Sequence, residues 1–414
     1  MTSADHNASP ANWHVSPGEL GRRASALQVR LRARGVGAAL VTHPMDLLYF
    51  GGGIFAGWMV MPADGDPVLH VRRARDRAVR ETCWDVHLTQ ATAAIADAAR
   101  KAARGGGLAL ALDGITGSDL MKVLRAWECE PGDIIDMTHD VRSVRAVKSE
   151  WELRWIREAA RQSTLAIQHV ASCAVPGVRE IDMFIAAEIA LRKAGHQGPM
   201  RMRRHGGEMF FGQVAAGENA AAPASLDAPL GGAGLYPSVG KGASTRVLEA
   251  GDLLIVDVMG CCNGYLSDCT RVVAVGGRDS VDEDLLEAQE WCVDLLRTVE
   301  KAVFPGAVAS EVYDMALSRA RADGRDQQFM GVMPDQARFI GHGIGLEVDE
   351  YPFLARGFDT KLEPGMVIAI EPKLVFRGRA AVGIEDAFIV TKTGVERLES
   401  PDRGVLEGGV AQAN

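Results

Sequence analysis

The sequence lacks the features that mark membrane, secreted and nucleic-acid-binding proteins. It has no run of about 20 apolar residues that could cross a bilayer, and residues 1–19 lack the charged-then-apolar order of a signal peptide. It also has no long basic run, and 54 acidic residues against 45 basic ones give a net charge of −9. A polyanion would be repelled on average. We therefore expect a cytoplasmic protein with neither nucleic acid nor membrane as a partner.

Cysteine and histidine are scarce as well. The seven cysteines include no Cys-x-x-Cys pair, which argues against a zinc knuckle or a redox motif. We expect them to be reduced residues in or near the core. Only four of the ten histidines lie beyond residue 150, namely His169, His196, His205 and His342. Few imidazoles are thus available in the part of the chain where the chemistry is predicted.

What the chain does have is enough length and apolar content for more than one core. Its 414 residues suggest two or three domains, and 47% of them are hydrophobic. Residues 1–20 show no apolar period and are predicted to form a flexible arm. Residues 21–148 alternate helix-like and strand-like runs, which predicts an α/β domain without a catalytic motif. A capping box at Ser149-Glu-Trp-Glu predicts a helix start, so a second domain is expected over 149–414.

A spacing repeat occurs within this second domain. Pro176-Gly177 and Pro305-Gly306 each lead into a helical stretch that ends at a glycine nineteen residues after the proline. The repeat could arise by chance, because Pro-Gly starts and Gly stops are common helix punctuation. If it reflects true symmetry, it predicts two similar halves about a pseudo-twofold axis, with a site between them.

Asn263-Gly264 stands between two apolar strand-like runs, which predicts a β-hairpin. A two-residue loop would place Asp257 opposite Thr270, with Asp268 as a diagonal neighbour of Asp257 on the same face. A bulge in the first strand would alter this register. An aspartate in an apolar strand is costly to bury without a counter-charge or a ligand, although either one alone could lie at a solvated strand end. Both on one face favour a metal site.

Three later residues extend this carboxylate pair. His342 lies among glycines, Glu371 ends an apolar run, and Glu385 interrupts another. Each alone could be structural, as a hydrogen-bonded histidine, a strand cap or a partner of an arginine. With the two aspartates they form an oxygen-rich set suited to two divalent cations that share carboxylates. Such a pair of cations can activate water and polarise a carbonyl.

The order Asp, Asp, His, Glu, Glu resembles that of the M24 metallopeptidases, the pita-bread family that includes methionine aminopeptidase, aminopeptidase P, prolidase and creatinase. The motifs that match are Asp-x10-Asp-x-Thr-Arg from residue 257, His-Gly-x-Gly-Leu-Glu-Val at 342–348, Glu-Pro-Gly-Met at 363–366, Glu-Pro at 371–372 and Ile-Glu-Asp at 384–386. They cover about residues 142–398. The resemblance implies an α+β chain, with a creatinase-type N-terminal α/β domain followed by a pita-bread catalytic domain, and a homodimer.

The resemblance also implies roles for the five residues. Asp257 would chelate one ion, His342 and Glu371 would bind the other, and Asp268 and Glu385 would bridge them. Glu371 is also assigned a catalytic role. Four carboxylates and one imidazole favour manganese, with iron, cobalt or zinc as alternatives. The implied reaction is hydrolysis of a C–N bond in a small peptide or an amide-like molecule, as in Xaa-Pro aminopeptidases and prolidases.

The sequence departs from the family pattern at three positions. The second histidine, expected seven residues after His342, is Asp349; no histidine stands near Tyr236; and the arginine expected two residues before the bridging glutamate is Gly383. Histidines of this kind help to bind the substrate carbonyl, so a standard aminopeptidase mechanism is in question.

Three readings of these departures remain open. Asp349 could act as a general base if burial raises its pKa, in a lyase or a small-molecule hydrolase of the same fold. It could instead serve only as the partner of a backbone amide or an arginine. A catalytically inactive binding module is the third reading, and the intact ligand set argues against it.

The substrate-binding candidates are basic. Arg203 and His205 occupy alternate positions of a predicted strand, in the region where the family builds its pocket. Arg338 stands four residues before His342. Such cations could grip a substrate carboxylate. The alternative is that they form surface or interdomain ion pairs.

Overall fold

The computed structural model describes residues 13–204 and 210–409. The chain divides into two compact units, one ending at Arg145 and the other beginning at Ala146. The boundary predicted after residue 148 lies three residues further along. Among the helices of the described ranges, none is both long and apolar enough to span a bilayer.

The first unit is an α/β domain built on one mixed sheet with the strand order β4-β3-β2-β1-β5-β6. Its helices are α1 (Pro17–Ala33), α2 (Pro44–Gly51), α3 (Arg75–Glu81), α4 (Thr92–Ala102), α5 (Gly117–Trp127) and α6 (Thr138–Ala146). Its strands are β1 (Val36–Val41), β2 (Gly57–Pro62), β3 (Val68–Val71), β4 (Asp85–Leu88), β5 (Gly107–Leu110) and β6 (Ile135–Asp136). The predicted alternation of helices and strands is confirmed.

The flexible arm predicted over residues 1–20 extends too far along the chain. Helix α1 begins at Pro17, so residues 17–20 belong to a helix. The reason is a complete start signal, in which the Ser16 hydroxyl accepts a hydrogen bond from the Glu19 N–H at 3.2 Å and proline holds the first helical position. The Leu20 side chain is buried in the same unit, which anchors this first turn.

Over its described residues, the second unit combines five α-helices with three β-sheets. Its helices are α7 (Glu150–Cys173), α8 (Glu180–Lys193), α9 (Gly217–Ala220), α10 (Glu283–Ala302) and α11 (Ala309–Ala322). Its strands are β7 (Gly212–Ala215), β8 (Leu253–Cys262), β9 (Tyr265–Ala274), β10 (Phe339–Gly343), β11 (Glu350–Ala355), β12 (Val367–Ile370), β13 (Lys373–Phe376), β14 (Ala380–Gly383), β15 (Asp386–Val390), β16 (Val395–Arg397) and β17 (Leu406–Glu407). The sheets have the orders β17-β9-β8-β7, β11-β10-β12-β15-β16 and β13-β14.

The two halves of this unit are built alike, as the spacing repeat predicts. Helices α8 and α11 both have 14 residues. The Gly177 N–H donates to the Leu248 carbonyl and the Gly306 N–H to the Leu362 carbonyl, each at 2.8 Å. Helix α7 packs on β8 and β9, and α10 packs on β12, β13 and β14. Each half thus places one long helix on its own sheet.

Each half also has its own apolar core. One core lies mainly between α7, α8 and β8, and the other lies between α10, α11 and the strands around β12. The sheets of the two halves meet at a short backbone bridge between Thr270 and Glu385, with N–H to carbonyl distances of 3.3 and 3.2 Å. Apolar burial therefore forms each half and also packs the halves on each other, and the bridge adds a backbone contact next to the candidate ligands.

The seven cysteines are free. Cys261, Cys269 and Cys292 are buried, whereas Cys83 is exposed, so the expectation of core or near-core positions is wrong for that residue.

Glu180, at the start of α8, is fully buried and binds a neighbouring irregular segment. Its carboxylate accepts hydrogen bonds from the Ala216 N–H at 2.8 Å, the Asn219 side-chain amide at 2.6 Å, and the Ser244 N–H and hydroxyl at 2.9 and 2.7 Å. These donors lie 36 to 64 residues away along the chain. One side chain therefore holds both ends of the segment 216–244 against α8.

Glu180→Ala is expected to destabilise the protein by about 3 kcal/mol, because several buried donors lose a charged acceptor at once. Urea unfolding followed by tryptophan fluorescence measures the change. Glu188→Ala is the control, since Glu188 lies on the same helix with its side chain 45% exposed and should change stability by less than about 0.5 kcal/mol. Equal effects of the two substitutions would contradict this role of Glu180.

Candidate metal centre

The Asn-Gly hairpin has the predicted register. Cys262 pairs with Tyr265, and Asp257 lies opposite Thr270. The two loop residues have φ of 49° and 86°, the left-handed values that a two-residue hairpin turn needs. Asp268, two residues before Thr270 on β9, shares the face of Asp257. The two aspartates therefore converge, as predicted.

The other three candidates come from the second half. His342 lies on β10, Glu371 follows β12 directly, and Glu385 directly precedes β15. The His342 Nε2 atom is 3.4 Å from Glu371 Oε1 and 3.9 Å from Glu385 Oε1. Asp268, His342 and Glu385 each offer a ligand atom within 4.8 Å of the others. All five predicted ligands line one cavity of about 400 Å³. Their roles as ligands stay a prediction that this convergence supports.

A sixth charged residue, Lys373, lies in the centre. It was not predicted from the sequence. Its Nζ atom is 2.5 Å from Glu371 Oε2, 2.9 Å from Glu385 Oε2 and 3.7 Å from Asp257 Oδ2. The side chain is 1% exposed. The signal that could have revealed it is the period of a strand, because residues two apart point to the same side. Lys373 follows Glu371 by two.

The space that Lys373 occupies exists because of Gly383. The two residues are directly paired across the β13–β14 hairpin. A Cβ atom at Gly383 would lie 2.5 Å from the Lys373 Cγ atom. The glycine that stands where the family has an arginine therefore makes room for a lysine on the opposite strand.

Burial and neighbouring charges both shift the pKa values of the side chains in the centre. Burial raises the pKa of Asp268 well above its usual value, and the charge of Glu385 adds to this. Burial opposes protonation of His342, but its hydrogen bond to Glu371 and the surrounding carboxylates raise its pKa to about 10. Burial would raise the pKa of Glu371, yet Lys373 and His342 lower it to about 2. The pKa of Glu385 is raised to about 7 by burial, against the opposing charge of Lys373.

One carboxylate oxygen in the centre lacks a hydrogen-bond partner. Glu385 Oε2 accepts hydrogen bonds from Thr270 Oγ1 and from Lys373 Nζ, each at 2.9 Å. Glu385 Oε1 is buried on the His342 side and has no hydrogen-bond partner among the residues that the structure describes. A buried carboxylate oxygen without a partner is costly unless a cation binds it. The donor set of Asp268, His342 and Glu385 therefore fits a divalent cation.

Asp349 has a structural contact that agrees with one of the readings given above. Its Oδ1 atom accepts a hydrogen bond from the Arg203 N–H at 2.7 Å, and its Oδ2 atom accepts one from the Arg204 N–H at 3.2 Å. The residue also lines the cavity. The carboxylate thus holds the backbone of a cavity wall, and its role as a general base stays a prediction.

The substrate candidates have different positions. Arg338 lines the cavity. The Arg203 guanidinium is buried 3.7 Å from the Glu347 carboxylate, while its neighbours Met202 and Arg204 line the cavity. This pairing agrees with the alternative given above for Arg203, in which the residue forms an ion pair and does not contact the substrate. His205 lies outside the described residues. Two further basic residues that line the cavity, Lys241 and Arg356, were missed because no motif marks them.

Comparison with known proteins establishes the family. Residues 154–392, more than half of the chain, match the model of metallopeptidase family M24. The chain belongs to this family. The M24 region is preceded by a match of residues 23–147 to the creatinase/prolidase N-terminal domain. The predicted two-domain architecture, with a pita-bread domain after the α/β domain, is confirmed.

Relatives of this M24 chain include named peptidases. An Xaa-Pro dipeptidase of Pyrococcus furiosus is 27% identical over 266 residues, covering 64% of this chain and 66% of that protein. A probable dipeptidase PepE of Mycobacterium tuberculosis is 32% identical over 260 residues, covering 62% of this chain and 59% of that protein. The match thus spans slightly less than two thirds of these relatives' length. The crystal structure of dipeptidase PepE from Mycobacterium ulcerans superposes with a TM-score of 0.78 at 24% identity, covering 96% of this chain and 100% of that chain.

Removal of divalent cations is expected to lower the melting temperature of this M24 protein. A ligand at about 100 times its Kd stabilises by about 2.7 kcal/mol, which corresponds to roughly 5 °C. Thermal unfolding with manganese and with a chelator measures the difference. His342→Gln should abolish the difference, and His196→Gln should retain it, because His196 is a buried histidine that is not one of the five ligand candidates. A chelator effect that survives His342→Gln would contradict the assignment.

Proposed function

We propose that the protein is a metal-dependent hydrolase that cleaves the C–N bond of Xaa-Pro dipeptides or closely related small peptides. The observation that carries the proposal is the convergence of all five predicted ligands on one cavity. The named M24 relatives, which include Xaa-Pro dipeptidases and probable dipeptidases, support the substrate class.

The chemistry requires a cation that the centre is suited to hold. Asp268, His342 and Glu385 would hold it, with Glu371 beside them. A bound divalent cation supplies an activated water and a Lewis acid for the substrate carbonyl. Manganese is the metal that this carboxylate-rich set favours, and iron, cobalt and zinc are alternatives.

The cavity suits a small, negatively charged substrate. Its volume of about 400 Å³ lies within the range usual for small-molecule sites. Apolar side chains such as Leu226, Met259 and Phe353 line it together with the basic residues Arg204, Lys241, Arg338 and Arg356. We infer that apolar walls take the substrate side chains and that the basic residues bind the terminal carboxylate. A homodimer remains the expectation from the family resemblance.

The manganese-loaded protein is expected to hydrolyse Xaa-Pro dipeptides, and chelation should abolish turnover. A panel of Xaa-Pro dipeptides, Xaa-Ala dipeptides and longer Xaa-Pro peptides, assayed by release of the free amino acid, measures the preference. His342→Gln serves as the inactive control. Absence of turnover on every peptide of the panel by protein shown to contain metal would overturn the peptidase proposal.

Arg338→Met is expected to raise KM for dipeptides by roughly 10-fold or more, because a charge-assisted hydrogen bond contributes about 1.5–3 kcal/mol. A dipeptide with an amidated C-terminus should lose much less, since it lacks the negative charge. Arg297→Met is the matched control, because the Arg297 side chain is 57% exposed on α10 and Arg297 is not among the cavity-lining residues of the described chain. Equal losses with the free and the amidated substrate would contradict this contact.

A further inference from the structure

Each of the two glutamates of the centre has one carboxylate oxygen on the Lys373 side and the other on the His342 side. Glu371 gives Oε2 to the Lys373 ammonium and turns Oε1 towards His342. Glu385 does the same, with Oε2 bound by Lys373 and Oε1 without a hydrogen-bond partner on the His342 side. The centre therefore has the Lys373 ammonium on one side of the glutamates and the His342 imidazole with two carboxylate oxygens on the other.

A pair of divalent cations does not fit beside this ammonium. Two metals in such a centre stand about 3.5 to 4 Å apart and bind carboxylate oxygens at about 2.0 to 2.2 Å. The Lys373 nitrogen reaches Glu371 and Glu385 at 2.5 and 2.9 Å and Asp257 at 3.7 Å. These are carboxylates that a metal on the Asp257 side would use. An ion there would have to displace a lysine whose side chain is 1% exposed.

We propose that the Lys373 ammonium takes the place of one of the two family metals, so that the centre holds a single divalent cation beside Asp268, His342 and Glu385. The retained ion would bind Asp268, His342 and Glu385, whose ligand atoms lie within 4.8 Å of one another, and Glu371 Oε1 would lie next to it, 3.4 Å from His342 Nε2. Asp257 would face the ammonium instead of a metal. The inference rests on the metal-binding part of the proposed function and not on peptidase activity.

The residues around Lys373 support this arrangement. A Cβ atom at Gly383 would lie 2.5 Å from the Lys373 Cγ atom and 2.9 Å from the Pro372 carbonyl oxygen, so the strand opposite Lys373 needs glycine at this position. Thr270 completes the arrangement, since its hydroxyl binds the same Glu385 oxygen as the lysine does and leaves the other oxygen to a metal. The Lys373 ammonium is thus held by hydrogen bonds to both Glu371 and Glu385.

Metal stoichiometry tests the proposal directly. Full-length protein stripped of metal and titrated with Mn²⁺ should bind one ion per chain, by calorimetry and by elemental analysis after dialysis. Electron paramagnetic resonance should show the signal of an isolated Mn²⁺ rather than that of an exchange-coupled pair. Two tightly bound ions per chain, or a coupled signal, would overturn the proposal, as would the absence of any bound ion.

Two isosteric substitutions separate the two sides of the centre. Asp257→Asn should leave one bound Mn²⁺ with its Kd changed less than about 3-fold, because Asp257 is not a ligand of the retained ion. Asp268→Asn should weaken binding by roughly 100-fold or more, since it removes a direct ligand. In a two-metal centre Asp257→Asn would instead lose an ion, and that result would contradict the inference.

Without the lysine ammonium, the centre should bind a second metal ion. Lys373→Gly is expected to bind two Mn²⁺ per chain and to show the coupled signal, whereas Lys373→Arg, which keeps the positive charge, should bind one. Lys392→Gly, at an exposed turn, is the control and should bind one. A folded Lys373→Gly protein that still binds one ion would contradict a role for the ammonium.

The outcomes distinguish this inference from the proposed function. Peptide hydrolysis by a protein that binds two ions would overturn the inference and leave the function intact. One bound ion without turnover of any peptide would support the inference and overturn the proposed function.

Discussion

Mutual repulsion among four carboxylates is the constraint on which the metal-binding unit depends. Asp257 and Asp268 come from the sheet of one half, and Glu371 and Glu385 come from the strands of the other. Apolar burial builds the halves and packs them on each other, as where Ile255 lies in one cluster with Val375 and Ala381, but it does not offset the cost of bringing negative charges together. Positive charge at the junction offsets that cost. Lys373 contacts carboxylates from both halves, so the ion pairs that offset part of the negative charge of the centre also link the halves.

Those parts of the structure that follow from short-range rules could be predicted from the sequence. The Asn-Gly loop fixes the register of the hairpin, and the period of a strand then fixes the face of Asp268. Lys373 escaped prediction because its position depends on an absent side chain, that of Gly383, on a neighbouring strand. Asp349 shows the same limit, since its backbone partner Arg203 lies 146 residues away. A single sequence shows which groups carry charge, and the fold decides which of them meet.

The two halves have similar arrangements of helices and strands, but the residues at the corresponding helix starts have different roles. In the first half the buried carboxylate of Glu180 secures an irregular segment that contributes Leu226, Leu230 and Lys241 to the cavity wall. The corresponding start of α11 is occupied by Ala309, which is apolar and buried. The wall that faces the substrate is therefore attached at a distance from the carboxylates of the centre. Substitutions in that segment can change which molecules fit without altering the ligands themselves.

The backbone bridge between Thr270 and Glu385 has a consequence for how the protein matures. Asp257 is synthesised 128 residues before Glu385, so the first aspartates leave the ribosome long before their partners exist. The donor set closes only when the strand after Glu385 docks beside β9. A metal ion held by these residues would therefore bind only after the whole unit has folded, because before that step the nascent chain offers only isolated, solvated carboxylates.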